Sequence, residues 1–382
     1  GTLIAIESQK AIAEDSKFYF DRANKKRNSG DYKGAISDYT EAIKIKPKSF
    51  NSYYYRSISK DILKDHLGAL SDINKAIEMN PKDADFYYTR GIINNKLKKP
   101  FKAMYDYSQA IELFEKSGRK NTSMLYNNAY YNLGNIQYKL EDYSGAIDNY
   151  SRIIKLNPNY KLIASTYYQR GSSKYNKGDY SGAIADYSSM LNKDPKHPLS
   201  YLAYYYSGQS KIKLNNNNGA VDDFTKAIAI KPKNNYYYQR GLANYASKNY
   251  SEAISDLSKI INKEPKNAEA YYNRGLAKYY SGSDKKSASI IDFLEAFTAK
   301  PDYANAYWMH GKTIAEVEGH KRGCRSIAKA IRLGQKDAIQ WGKISITKDD
   351  WCEFKYIAYT GQENMVDGKS VRYDNHILNY LE

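Results

Sequence analysis

Cysteine is almost missing: Cys324 and Cys352 are the whole supply in 382 residues. A framework of several disulfides is excluded, and at most one bridge is left open. Long apolar runs are missing as well. The nearest candidate, Leu3–Ile6, falls far short of the roughly 18 residues that a membrane helix needs, so no membrane span is expected. Patterns that carry catalysis are also lacking. There is no Gly-rich phosphate loop, no paired-His metal motif, and no Ser or Cys nucleophile with a suitably spaced His. His320-x-x-x-Cys324 offers two ligands, too few for a metal site. Asp222–Asp223 and Asp349–Asp350 read as helix starts or surface charge. We expect no enzyme, no cofactor and no metal.

What is present is repetition. Ala-Tyr-Tyr-Asn-Arg-Gly at 270–275 returns as Tyr-Tyr-Thr-Arg-Gly at 87–91 and as Tyr-Tyr-Gln-Arg-Gly at 167–171 and 237–241. The period is near 34 residues, with copies starting at Ser16, Phe50, Ala84, Asn127, Ala164, Tyr201, Asn234, Ala268 and Ala304. The fourth position is Tyr in all nine copies, from Tyr19 to Tyr307. The eighth (Gly91, Gly134, Gly171, Gly208, Gly241, Gly275 and others) and the twentieth (Ala35 to Gly323) are small throughout. Pro closes seven copies, as at Pro47 and Pro265. Two small residues let two antiparallel helices pack closely, and Pro stops the second. No copy can bury its face alone, so stacked neighbours share one core.

This pattern resembles the tetratricopeptide repeat (TPR) family over roughly residues 16–334. The resemblance implies an all-α, right-handed superhelical α-solenoid of antiparallel helix pairs, with a short non-repeat C-terminal extension. Three segments are expected: an N-terminal apolar arm or cap (1–15), nine repeats (16–334), and a capping helix with tail (335–382). The wider spacing between repeats three and four departs from the pattern, with Glu115 where Pro is expected. It reads as two lengthened helices around a polar turn at 117–121. In the tail, Gln335–Ile344 reads as a helix covering the last repeat, followed by a weak hairpin near Asp367-Gly368 and a last short helix at 376–381.

The resemblance also implies that the fourth position is core and that the fifth and ninth line a concave groove. Carried over, the groove holds Tyr54, Tyr88, Tyr131, Tyr168, Tyr205, Tyr238, Tyr272 and Trp308, with Asn135 and Gln209 beside them. The seventh position, often Leu in the family, is Arg in six repeats, and position 23 of the same repeats is Asp. The sets are Arg22 and Asp38, Arg56 and Asp72, Arg90 and Asp106, Arg170 and Asp186, Arg240 and Asp256, and Arg274 and Asp292. Leu133 goes with Asn149 and His310 with Ser326, while Ser207 stays with Asp223. This covariation predicts an ion pair from helix to helix inside each repeat, since a buried Arg favours a bidentate carboxylate.

Net charge is +17, and the tail from 335 carries six basic and eight acidic residues, so the remainder stands at +19. Such a surface suits an acidic partner. The expected function is a protein-interaction scaffold that holds a protein or peptide segment in the Tyr-lined groove. The alternative is a self-assembling subunit of a filament or tube that docks through 1–15 and 335–382, with its apolar residues Leu3, Ile4, Trp341, Trp351 and Phe354. Nucleic-acid binding through Tyr stacking ranks behind both. The first residue is Gly1 rather than Met, as expected of a chain exported with loss of a leader.

Overall fold

The computed structural model describes residues 2–119, 124–318 and 320–346. It is all-α, with no strand among the described residues. In the first compact unit, residues 1–197, α1 (Thr2–Asn28) pairs with α2 (Tyr32–Ile45) and α3 (Phe50–Ile62) with α4 (His66–Met79). There α5 (Ala84–Lys96) pairs with α6 (Pro100–Lys116), α7 (Met124–Lys139) with α8 (Tyr143–Leu156), and α9 (Ile163–Lys177) with α10 (Tyr180–Lys193). The second unit, residues 198–382, pairs α11 (Ser200–Lys213) with α12 (Asn217–Ile230) and α13 (Asn234–Ala246) with α14 (Tyr250–Lys263). It also pairs α15 (Ala268–Tyr280) with α16 (Ser283–Ala299) and α17 (Ala304–Val317) with α18 (His320–Arg332), and adds α19 (Lys336–Ile346). Within each unit every helix packs on its neighbours in sequence, which makes each unit an α-solenoid.

The eighth-position glycines explain the close helix pairs. A Cβ placed on Gly134 would stand 2.8 Å from the Tyr150 ring, and one on Gly275 would stand 2.7 Å from the Phe293 ring. The ring at position 24 of the second helix therefore lies directly on the first helix. The facing Ala103, Ala146, Ala183, Ala220 and Ala253 are fully buried.

The turns repeat too. Position 15 takes the left-handed backbone in eight repeats, at Gly30, Gly178 and Gly282 but also at Lys64, Lys98, Glu141, Asn215 and Lys248. That conformation costs a side-chain-bearing residue about 1–2 kcal/mol. The next residue caps the second helix in five repeats: Asp31, Asp65, Asp142, Asp179 and Asn216 each accept from the amide of the Gly three residues on, whereas Asn249, with Glu252 in place of that Gly, makes no such bond. A cap of this kind is worth about 1 kcal/mol.

Where repeats three and four meet, α6 extends to Lys116 and α7 begins at Met124. Glu115 accepts hydrogen bonds from the Tyr126 hydroxyl at 2.8 Å and the Tyr130 hydroxyl at 3.2 Å, with Arg152 at 3.6 Å. A carboxylate serves there as the anchor of two buried phenols. At the far end α19 buries Ala338 and sets Trp341 edge-on against Trp308 at 5.7 Å. Cys352, Trp351, Phe354, the hairpin near Asp367 and the helix at 376–381 lie outside the described residues, as do the side chains of Leu3 and Ile4 and part of the turn at 117–121.

Candidate functional site

Two sets of side chains recur on the repeats. The first is built on the seventh-position arginines. Arg22, Arg56, Arg90, Arg170, Arg240 and Arg274 each donate Nε and Nη2 to the Asp of their own repeat at 2.6–3.0 Å. The carboxylates of Asp38, Asp72, Asp106, Asp186, Asp256 and Asp292 are buried. Hydrogen bonding from Arg22 holds the Asp38 carboxyl below the usual carboxylate range against the opposing effect of burial. Each guanidinium also lies over the fourth-position Tyr three residues earlier, at 5.0–5.6 Å from Tyr19, Tyr53, Tyr87, Tyr167, Tyr237 and Tyr271. These six tyrosines are half-buried, most of them packed against the core on one side with a cation over the ring, while Tyr130 of repeat four, which has no arginine, is buried in the core.

Two partners in this cluster went unread in the sequence. A lysine at position 11 reaches the same Asp in four of these repeats: Lys26, Lys60, Lys174 and Lys278, at 2.8–2.9 Å. The third nitrogen, Nη1, crosses to position 25 of the preceding repeat. It donates to Thr40, Asn74, Ser151, Thr225 and Ser258 at 2.9–3.1 Å. In these five repeats the arginine thus ties its own helix pair to the preceding repeat. Each guanidinium is engaged inside the chain by a buried carboxylate, and in four repeats the lysine adds a second cation to that one acid.

The second set is the fifth-position aromatics. Each ring leans on the position-24 ring of its own repeat where that is aromatic: Tyr88 on Tyr107, Tyr131 on Tyr150, Tyr168 on Tyr187, Tyr205 on Phe224 and Tyr272 on Phe293, at 5.8–6.0 Å. Tyr54 lies 4.8 Å from Phe86 and Tyr205 stacks on Tyr236 at 4.7 Å. Burial pushes the Tyr54 and Tyr272 hydroxyls up to about 12. Tyr88, Tyr168 and Trp308 are buried, so of the eight expected groove aromatics these three form backing. Tyr54, Tyr131, Tyr205, Tyr238 and Tyr272 stay partly open.

The ninth position splits. Asn135 accepts the Tyr150 hydroxyl at 2.8 Å, just as Asn24 accepts that of Tyr39 at 2.7 Å, so Asn135 faces the core. Gln209 stands where the facing ring is Phe224, which has no hydroxyl, and its Nε2 is buried without a partner. Two phenols on this face accept from amides of the following repeat: Tyr205 from Asn235 at 2.8 Å and Tyr238 from Asn273 at 3.3 Å. Aromatic pairs join at the turns, Tyr138 with Tyr143 and Tyr175 with Tyr180 at 5.7 Å. Among the described residues no cluster of His, Cys, Asp and Glu suits a metal ion, and no helix is long and apolar enough to cross a membrane.

Comparison with known proteins agrees with the repeat register. Profiles described as tetratricopeptide repeat match residues 16–49, 128–160, 165–197, 201–234 and 236–267. Tetratricopeptide repeat protein 37 of Xenopus laevis is 31% identical over 107 residues, which is 26% of this chain but 7% of that protein. DnaJ homolog subfamily C member 7 of Homo sapiens is 28% identical over 102 residues, 27% of this chain and 20% of that protein. The chain therefore spans a small part of both relatives. Among solved structures, YrrB, described as a TPR protein with an unusual peptide-binding site, is 23% identical, with a TM-score of 0.45 over 55% of this chain and 97% of that one. A MamA structure is 24% identical, with a TM-score of 0.43 over 48% and 94%.

Proposed function

The chain belongs to the tetratricopeptide repeat family, and from that premise we propose that it is a non-enzymatic scaffold whose first helices hold a segment of another protein. The observation that carries this reading is the set of half-open fifth-position rings, Tyr54 and Tyr131 in the first unit and Tyr205, Tyr238 and Tyr272 in the second, most of them backed by a buried aromatic neighbour. A ring already pinned by its neighbours loses little freedom on binding, and it offers both an apolar face and a hydroxyl. Amide groups beside them, Asn235, Asn273 and the unpartnered Gln209 Nε2, suit the carbonyls and N–H groups of a peptide backbone. The net charge of +17 favours an acidic segment.

The test replaces Tyr205 and Tyr238 with Ala. Helicity is checked by circular dichroism, and the proteins captured by wild type and variant from a source lysate are quantified. Partners of the groove should fall at least about tenfold, since interface tyrosines often contribute above 1.4 kcal/mol. A control, Lys33→Ala at the start of the second helix α2, should leave them unchanged. Equal capture by the Tyr variant and wild type would overturn the reading.

A further inference from the structure

The start of the second helix is polar in most repeats: position 18 is Lys33, Ser144, Ser181, Asn218 and Ser251 in repeats one, four, five, six and seven. Repeats two and three break this rule with Leu67 and Phe101, which are 68% and 74% exposed. Ile62 and Leu63 stand exposed at the same turn as Leu67, and Tyr105 stands one helical turn beyond Phe101. The two turns are neighbours, because Lys96 of one reaches Asp61 of the other at 2.6 Å. Nothing among the described residues accounts for these exposed rings and branches.

Charge accompanies them. Lys64, Lys98, Lys99 and Lys102 surround the apolar side chains, all are exposed, and none makes an ion pair among the described residues. Residues 96–102 hold four lysines and no acid. Behind Phe101 runs a cleft of about 450 Å³ between α4 and α6, walled by Leu70, Phe101 and Tyr105 and by the Arg90–Asp106 pair. Position 11 is Asn94 in this repeat, where sister repeats place a lysine on the Asp. Asn94 donates to Asp106 at 2.7 Å, and its own Oδ1 is buried without a partner. Repeat seven, with Asn244 at position 11, has a comparable cleft of about 410 Å³ beside Arg240 and Asp256. Its position 18 is the polar Ser251, so of the two only the cleft of repeat three is flanked by an exposed ring there.

An occupant must bring acid to the lysines and an aromatic or branched side chain to the cleft. The chain itself contains such a segment, and it lies outside the described residues. Residues 347–382 carry seven acidic and four basic residues, against a strongly basic remainder. Asp349-Asp350-Trp351-Cys352-Glu353-Phe354 interleaves three carboxylates with two large rings. We propose that the patch on repeats two and three, centred on Leu67 and Phe101, binds the tail 347–382 of a second copy of this chain. A cleft argues for an inserted side chain over a flat lipid surface, which needs none. The contact joins two different surfaces, so it propagates from copy to copy unless the rotation closes a ring or two copies exchange tails. It uses second helices and turns, and so stands independently of the groove on the first helices.

The test uses the full chain. A labelled peptide of residues 347–382 carrying Cys352→Ser is titrated into it by fluorescence anisotropy, and sedimentation velocity follows the chain over a wide concentration range. We expect peptide binding, and self-association that the free peptide reverses. Raising salt from low to high should weaken both at least about tenfold, because exposed charges are screened. Phe101→Ser should weaken peptide binding about tenfold or more, and so should Lys98→Glu with Lys99→Glu. Both sites are exposed, so the thermal melts should not move. Tyr280→Ser, an exposed ring in the second unit, should change nothing. No peptide binding with a monomeric chain throughout would overturn the proposal, and so would peptide binding equal in Phe101→Ser and wild type. Loss of binding to phosphatidylserine vesicles in these variants, with no peptide binding by wild type, would overturn it in favour of an acidic membrane.

Discussion

Repeats one, two, three, five, seven and eight share one arrangement; repeats four, six and nine depart from it in three ways. Repeat four replaces the pair with buried Leu133 and with Asn149, which donates to Gln137 at position 11. Repeat six keeps Asp223 but meets it with the Ser207 hydroxyl and the Lys211 ammonium, each at 2.6 Å. Repeat nine joins His310 to Ser326 at 2.9 Å, and burial pushes the His310 pKa down to about 4. A buried carboxylate is kept only where a cation still reaches it; where the cation goes, the site becomes neutral. That is the outcome expected if an unmatched buried charge is costlier than a missing pair. The helix pair itself survives all four chemistries, so the ion cluster does not make the fold.

The sharpest way to break this comparison is to strand a charge. Asp186→Ala leaves Arg170 facing a buried site without its carboxylate and should cost about 3–5 kcal/mol, read as a loss in a denaturant melt. Arg170→Leu with Asp186→Leu imitates repeat four and should cost clearly less. Equal losses for the two would show the pair to be solvated.

Next comes a change that should ignore the distinction. Gly134 in repeat four and Gly275 in repeat eight face rings at 2.8 and 2.7 Å. Leu at either should destabilise by about 3 kcal/mol, and by similar amounts, since overpacking acts whatever the ion pair does. A melt unmoved by either would refute the packing described for position eight.

The pH response separates the classes further. The His310 pKa is depressed, so the unfolded chain binds the extra proton first as pH falls. The contribution of repeat nine is complete above the ordinary histidine range, near 6.5, and fades toward pH 4. The Asp38 pair, whose carboxyl is held low, loses its contribution only below the usual carboxylate range. Trp308 fluorescence should thus report weakening of repeat nine before far-ultraviolet circular dichroism reports the rest. His310→Gln should flatten that early limb.

The smallest effect concerns the left-handed turn residues. Glu141→Gly in repeat four and Lys248→Gly in repeat seven should each add about 0.5 kcal/mol, the relief of a strained backbone less the entropy of glycine. Equal gains would confirm that the turns are indifferent to the ion cluster.

Much of this was legible because nine copies act as their own alignment. Small residues at positions eight and twenty fixed the pairing of helices, and the joint loss of Arg and Asp in repeats four and nine pointed to contact. Position 11 was legible in the same way, since Lys recurs there, but a lysine column reads as a solvated face until a buried acceptor is known. Position 25 escaped because Thr, Asn and Ser share little except a side-chain oxygen. Position 15 escaped because Lys and Glu have no preference for left-handed backbone; the helix ends on either side impose it. Asn135 was assigned outward because the ninth position faces the groove in the resembling family, and the hydroxyl of Tyr150 turns it inward.

The nitrogen that five of the arginines send to the preceding repeat has a consequence for how the chain opens. In a stacked array, unfolding spreads by nearest-neighbour coupling. A bond of this kind makes a repeat share the fate of the one before it. Repeats four, six and nine lack the arginine, so they should behave as loose joints where cooperativity is interrupted. Amide hydrogen exchange should then show protection falling in steps at those repeats, with blocks of stapled repeats opening together between them.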